Sequence, residues 1–174
     1  MTTKNTKSNH QKHAVLLSME EEIQNIFGKR WQHLAENYNK IENGKYPGVY
    51  LIAWTDENLT GKKIKLKDIF YVGMSNARKG LSSRLKQFID GIEKNNAHSA
   101  AMRFFKEYSG NKPFSKIKVH KQFYMVSSAF QCDVNKETRT PKDLRIMGEI
   151  CRMEYFLLAH IKEKIAKEPE LNKK

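Results

Sequence analysis

Cysteine is almost absent from this chain: of 174 residues only Cys132 and Cys151 carry a thiol. Two are too few for a disulfide framework, and they lack the spacing of a metal-ligand cluster. Both are read as reduced thiols, with Cys151 as a core residue. Long apolar runs are missing as well. No stretch approaches the roughly 20 residues that a membrane helix needs. The opening segment MTTKNTKSNHQKH lacks the apolar core of a secretory signal. These absences predict no membrane partner and a cytoplasmic location. Internal repeats are lacking too, so one domain is expected, long enough to bury a real core. The last shortage is of acidic residues: 19 Asp and Glu face 32 Lys and Arg, for a net charge of +13. A field of that sign attracts polyphosphates and speeds association with them. It also fits a lysine-rich solvated surface, and by itself implies no chemistry.

Turn residues and hydrophobic period divide the rest. Residues 1–13 read as a disordered basic tail, 14–44 as an N-terminal helical extension and 45–174 as the main domain. Ser18 with Glu21 makes a capping box. It opens a helix running to about Tyr38, with Ile23, Ile26, Phe27, Trp31 and Leu34 as its apolar stripe. Asn43-Gly44 breaks the chain, and Pro47 leads into a strand over 48–54. The loop DENLTGKKIKLKD joins it to a second strand over 69–73, as in an antiparallel hairpin. A helix over about 81–93 turns Leu81, Leu85, Phe88, Ile89 and Ile92 inward, and another covers about 98–108. Residues 116–126 alternate basic and apolar (KIKVHKQFYMV), which predicts a third strand. The last helix starts near Pro141 and runs to about 167, where Pro169 stops it. The expected class is α+β: a small central three-stranded antiparallel sheet flanked by helices, with an extra N-terminal helix.

Glu154 is the most informative residue. Its neighbours at three, four and seven positions, Met147, Ile150, Cys151, Leu157, Leu158 and Ile161, are all apolar. A carboxylate within that stripe points to the core or a cleft, where an unpaired charge is expensive. It needs a cation such as Arg84, as a packing ion pair, or a bound metal. Glu149, flanked by Arg145 and Arg152, reads as an ordinary exposed carboxylate. Arg84 lies at the edge of its helix stripe, where a guanidinium either snorkels to the surface or grips a phosphate. Tyr50 and Tyr71 each sit beside a glycine in a short strand, and glycine there permits close approach.

The ordered set Gly48-Val49-Tyr50, Tyr71-Val72-Gly73, GMSNARKGLSSRL, a helical Glu154 and PELN resembles the GIY-YIG nuclease family over residues 47–172. The resemblance implies a metal-dependent endonuclease that hydrolyses phosphodiester bonds in DNA, with a restriction-type enzyme and a homing, repair or structure-selective one as the alternatives. Carried over residue by residue, Tyr50 accepts or relays the proton of an attacking water and Tyr71 positions it. Arg84 stabilises transition-state charge, Glu154 holds one Mg²⁺ or Mn²⁺, and Asn172 matches the family's terminal asparagine. An unperturbed tyrosine titrates near 10, so Tyr50 needs help as a base, from the metal, Arg84 or a lysine such as Lys63. One position departs: Phe88 stands where many members carry a histidine one turn after the arginine. His98 is a candidate stand-in, although a helix-start or surface histidine also fits.

The expected partner is double-stranded DNA. Lys63, Arg78, Lys79, Lys86, His98, Lys116 and Lys118 are its candidate contacts, each of which equally suits a solvated face. Dimerisation would suit a palindromic cutter, with the first helix as the interface. The competing readings are a non-catalytic nucleic-acid-binding module of the same fold, which Phe88 supports, and a protein-interaction domain with an incidental basic surface.

Overall fold

The computed structural model describes residues 18–172. The expected tail 1–13 and the first residues of the extension lie outside them. The class is α+β, with one four-stranded antiparallel sheet and helices on both faces. Among the described residues no helix is long and apolar enough to cross a membrane.

The opening helix, α1 (Met19–Gly28), starts at the capping box expected of it. The Ser18 hydroxyl accepts from the Glu21 N–H at 3.3 Å, and the Glu21 carboxylate accepts from the Ser18 N–H at 2.7 Å. It does not continue to Tyr38. Lys29 is extended, and Trp31 exchanges backbone hydrogen bonds with Lys62 and Gly61 at 3.0 and 2.9 Å. The chain then forms β1 (Gln32–His33) and a single turn, α2 (Leu34–Asn37). Trp31 and Leu34 are as buried as a helical stripe would make them, but Trp31 reaches the core from extended chain. The fourth strand is therefore short and was hidden in an apparent helical period. The apolar residues Ile23 and Ile26 of α1 are also spent inside the core, so this face is not free for the expected dimer contact.

The longer strands are β2 (Gly48–Thr55), β3 (Ile69–Ser75) and β4 (Gln122–Ala129), in the order β1-β4-β2-β3. The third strand was expected over 116–126. Instead Phe114–Lys116 is a 3-10 turn and pairing begins at Gln122, opposite Thr55. β2 ends at Thr55, so residues 116–121 have no β2 partner and only part of their apolar set reaches the core: Ile117 packs against it, while Val119 is 41% exposed. On the other edge of β4, β1 pairs only with Tyr124 and Met125. Beyond it Lys29 takes over: its Nζ donates to the Ser127 carbonyl at 2.6 Å and to the Ser128 hydroxyl at 2.7 Å.

Alternation along β2 divides the core. Val49, Leu51 and Ala53 face α1 and α5 (Pro141–Ile165), meeting Ile150, Met153, Leu157 and Ile161. Tyr50 and Ile52 face α3 (Gly80–Lys94) and α4 (Ser99–Glu107), meeting Leu81, Leu85, Phe88 and Phe104. A central strand covered on both faces reads as the continuous apolar run seen here. The two middle helices lie within a residue or two of the expected spans. α5 gives out before Pro169, at Ala166 in a left-handed conformation (φ 59°). Of the thiols, Cys132 is the buried one, while Cys151 is half-buried and accepts from the Asn76 amide at 3.2 Å.

Gly48 has no room for a side chain: a Cβ would overlap the Ser128 carbonyl oxygen of β4 and lie 2.8 Å from Leu81 Cδ1. Because the obstacle is backbone, Gly48→Ala must spread β2 from β4. Overpacking of this kind costs roughly 1–3 kcal/mol, and denaturant melts of Gly48→Ala should show a loss at the upper end. Gly28→Ala, with nothing within 4 Å of its Cβ, should leave the midpoint unchanged or slightly raised.

Candidate functional site

The β2–β3 register brings the two tyrosines together. Tyr50 pairs with Gly73 and Ile52 with Tyr71, so both phenols emerge on the α3 face with ring centroids 6.0 Å apart. The cross-strand neighbours of Tyr50 are small on both sides, Gly73 and Ser127. A Cβ on Gly73 would sit 2.6 Å from the Tyr50 ring and 2.7 Å from that of Tyr71. The glycine of the second motif is thus the floor on which both rings lie. Tyr50 is 0% exposed and Tyr71 7%.

Two helices complete the group. α3 is anchored by Leu81, Leu85 and Phe88, and this holds Arg84 near the tyrosines, where its charge acts on both hydroxyls. The Arg84 Nη1 also donates to Gln87 at 3.0 Å. α5 contributes Glu154, half-buried between Ile150, Leu157 and Ile161, whose charge acts on Tyr71. Glu149 on the same helix is exposed and meets Arg152 at 3.3 Å, as expected of a surface carboxylate. Burial, reinforced by Tyr71, pushes the Tyr50 hydroxyl well above the ordinary phenol range, against the pull of Arg84. Burial and then Glu154 push Tyr71 up, against Arg84, Tyr50 and Arg103. Both are therefore protonated phenols at neutral pH.

His98 does not contact solvent, which removes it from the expected DNA contacts. It is 0% exposed and caps α4, its Nδ1 accepting the Ala101 N–H at 3.4 Å. Its Nε2 lies 2.9 Å from the Tyr50 hydroxyl. The imidazole meets Phe88 edge-on at 5.2 Å and Tyr71 at 5.9 Å. The approach depends on Gly91, where a Cβ would be 2.6 Å from that of Ala101. Burial, then Arg84 and Arg103, lower the pKa of His98 to about 3. The ring is neutral.

Asn172 was expected to be catalytic, yet both ends of its amide are taken by the backbone of β3. It accepts from the Val72 N–H and donates to the Val72 carbonyl, each at 2.7 Å. It straps the strand between Tyr71 and Gly73, which leaves one N–H and one lone pair of its amide over. Arg103 of α4 was not foreseen. Its charge acts on Tyr71 and His98, and its Nη2 donates to the Leu171 carbonyl at 2.8 Å. The available signal was weak: an arginine next to the buried run Ala100, Ala101, Phe104, at a stripe edge like that of Arg84.

The basic candidates scatter. Arg78 and Lys79 line a cavity of about 320 Å³ with Asn76, Ser83, Arg84 and Gln87, beside the site. Lys86 is paired with Asp90 at 2.6 Å. Lys63 bridges to Arg30, just before β1, with β4 and β2 between that edge and β3. It cannot assist Tyr50 from there. Lys116 and Lys118 are exposed in the segment tied by Ser115 to Glu93, near the far end of α3.

Among the described residues no three His, Cys, Asp or Glu side chains group to hold a metal. One half-buried carboxylate suits an ion that keeps several waters and arrives with a phosphate, as Mg²⁺ does. No family model, no curated protein and no solved structure matches the chain.

The His98 shift has a pH consequence. In the unfolded chain a histidine titrates near 6.5, and in the fold His98 stays neutral to about 3. Between those values the unfolded state binds the extra proton, so stability falls as pH falls. The loss from pH 8 to pH 5 should be about 2 kcal/mol, read from denaturant melts. In His98→Gln that slope should vanish over the same range.

Proposed function

We propose that this chain is a cytoplasmic, metal-dependent DNA endonuclease with a GIY-YIG-type fold and site that hydrolyses phosphodiester bonds in double-stranded DNA. The observation that carries this is the meeting of Tyr50, Tyr71, Arg84 and Glu154, drawn from β2, β3, α3 and α5, at the β3 edge of the sheet. A packing ion pair would need neither two tyrosines on a glycine floor nor a guanidinium acting on both. Glu154 would hold Mg²⁺ or Mn²⁺, which supplies charge neutralisation at the scissile phosphate. Arg84 stabilises the negative charge that builds on the phosphoryl oxygens. The expected roles of the tyrosines are exchanged: Tyr50 is wholly enclosed, so Tyr71, the less enclosed phenol, faces the incoming water and Tyr50 supports it from behind. Arg78 and Lys79 hold neighbouring phosphates, which position the duplex without reading its sequence.

A non-catalytic nucleic-acid-binding module is favoured by one observation: burial keeps both phenols protonated at neutral pH. Cleavage decides between the readings. Supercoiled and linear DNA are incubated with the protein in Mg²⁺, Mn²⁺ or EDTA, with Glu154→Ala and Arg84→Ala alongside. Metal-dependent cutting is expected, lost in Glu154→Ala and reduced about 10²–10³-fold in Arg84→Ala. Absence of cutting in both metals, together with steeply salt-dependent binding, would replace the nuclease with the binding module.

A further inference from the structure

We infer that His98 is a positioning residue which donates a fixed hydrogen bond to the Tyr50 oxygen, turns the Tyr50 proton toward Tyr71 and the cleft, and does not itself take up a proton during the reaction. The last clause rests on the nuclease reading. The hydrogen-bond assignment does not.

A neutral imidazole has one N–H and one lone pair. The Ala101 N–H, at the third position of α4, is directed at Nδ1 and can only donate. Two donors cannot face each other, so Nδ1 carries the lone pair and the hydrogen is on Nε2. That atom lies 2.9 Å from the Tyr50 oxygen, which therefore receives a hydrogen bond and must send its own proton elsewhere. Arg84, the other polar neighbour, has five donors and no acceptor. The oxygen of Tyr71 is left as the acceptor. The result is a directed chain from His98 through Tyr50 to Tyr71. The two phenol rings lie side by side on the same face, with centroids 6.0 Å apart.

His98 cannot reverse this direction cheaply. Moving its hydrogen to Nδ1 would set two N–H groups against each other at the start of α4. Adding a second proton would charge a ring with no exposure, enclosed by Tyr50 of β2, Tyr71 of β3, Phe88 and Arg84 of α3, and Arg103 of its own helix. Both charges acting on it are guanidinium. His98 thus stands beside Phe88, which fills the family's histidine position, but does different work there. A histidine free to exchange protons would be a base, whereas this one is a fixed dipole.

Two substitutions separate the donor from the helix cap. His98→Asn keeps an acceptor at the Nδ1 position for the α4 N-terminus and removes the donor to Tyr50. His98→Gln places an amide N–H at the Nε2 position and gives up the cap. If the donor matters, Asn lowers kcat about tenfold, the effect of one buried hydrogen bond, at unchanged KM, and Gln recovers most of that rate despite a lower melting temperature. If Asn keeps the rate and Gln loses it, the residue is only a cap and the inference fails. If both lose 10²-fold or more and the acid limb of the rate–pH profile disappears, His98 is a base and the inference fails equally. Independently of cleavage, long-range ¹H–¹⁵N spectra of the histidine-labelled protein should show a pyrrole-type Nε2 and a pyridine-type Nδ1 for His98, unchanged from pH 8 to pH 5. A pyrrole-type Nδ1 would overturn the assignment. A wild-type protein that cuts no DNA would remove the nuclease reading while leaving the spectra to decide the hydrogen bond.

Discussion

The pairing of Tyr50 against Gly73 is the constraint from which the rest follows. It places a large ring over a position with no side chain, and it fixes Tyr71 opposite Ile52 on the same face. A slip of one residue in β3 would send Tyr71 to the α5 side of the sheet and bring Val72 to the α3 side. Arg84 would then have one phenol within reach instead of two. The register is held from both directions: β4 pairs with β2 along its whole length, and Asn172 grips β3 at Val72, the residue between Tyr71 and the glycine. A polar side chain far along the chain thus fixes a register set by apolar ones.

Around that pair the charges are few and enclosed. Arg84 and Arg103 approach the phenols from the two helices of one face, and Glu154 approaches from the other side of the sheet edge. The chain as a whole is strongly basic, but surface lysines contribute little to this arrangement. Lys63, Lys86, Lys116 and Lys118 are bridged, paired or displaced along the molecule. Long-range attraction of a polyanion and the local electrostatics of the site are therefore supplied by different residues.

What was legible in the sequence was whatever periodicity or close packing forces. Helices α3, α4 and α5 follow from their apolar stripes, and the significance of Glu154 from the stripe it interrupts. The two glycine–tyrosine strands follow from turn residues and short apolar runs. Trp31 misled because its spacing from Phe27 matches a helix turn, although pairing with Lys62 and Gly61 draws it into extended chain. The KIKVH stretch misled because alternation signals a strand only where a neighbouring strand is present to pair with. His98, Arg103 and the strap of Asn172 were illegible in role for one reason: each acts through a contact between segments distant in sequence, and no local pattern marks such a contact.

Open sheets have exposed margins, and these two margins are treated alike. On β3 the amide of Asn172 imitates a pairing strand, taking both backbone groups of Val72. On β4, where β1 ends, the Lys29 ammonium occupies the Ser127 carbonyl and brings a charge to the edge. A free strand adding to either side would have to displace a satisfied polar group, and on the β4 side also accommodate a charge. Lysines at such positions are a common natural safeguard against edge-to-edge association. At Val72 and at Ser127 the sheet therefore carries its own local protection against edge-to-edge pairing.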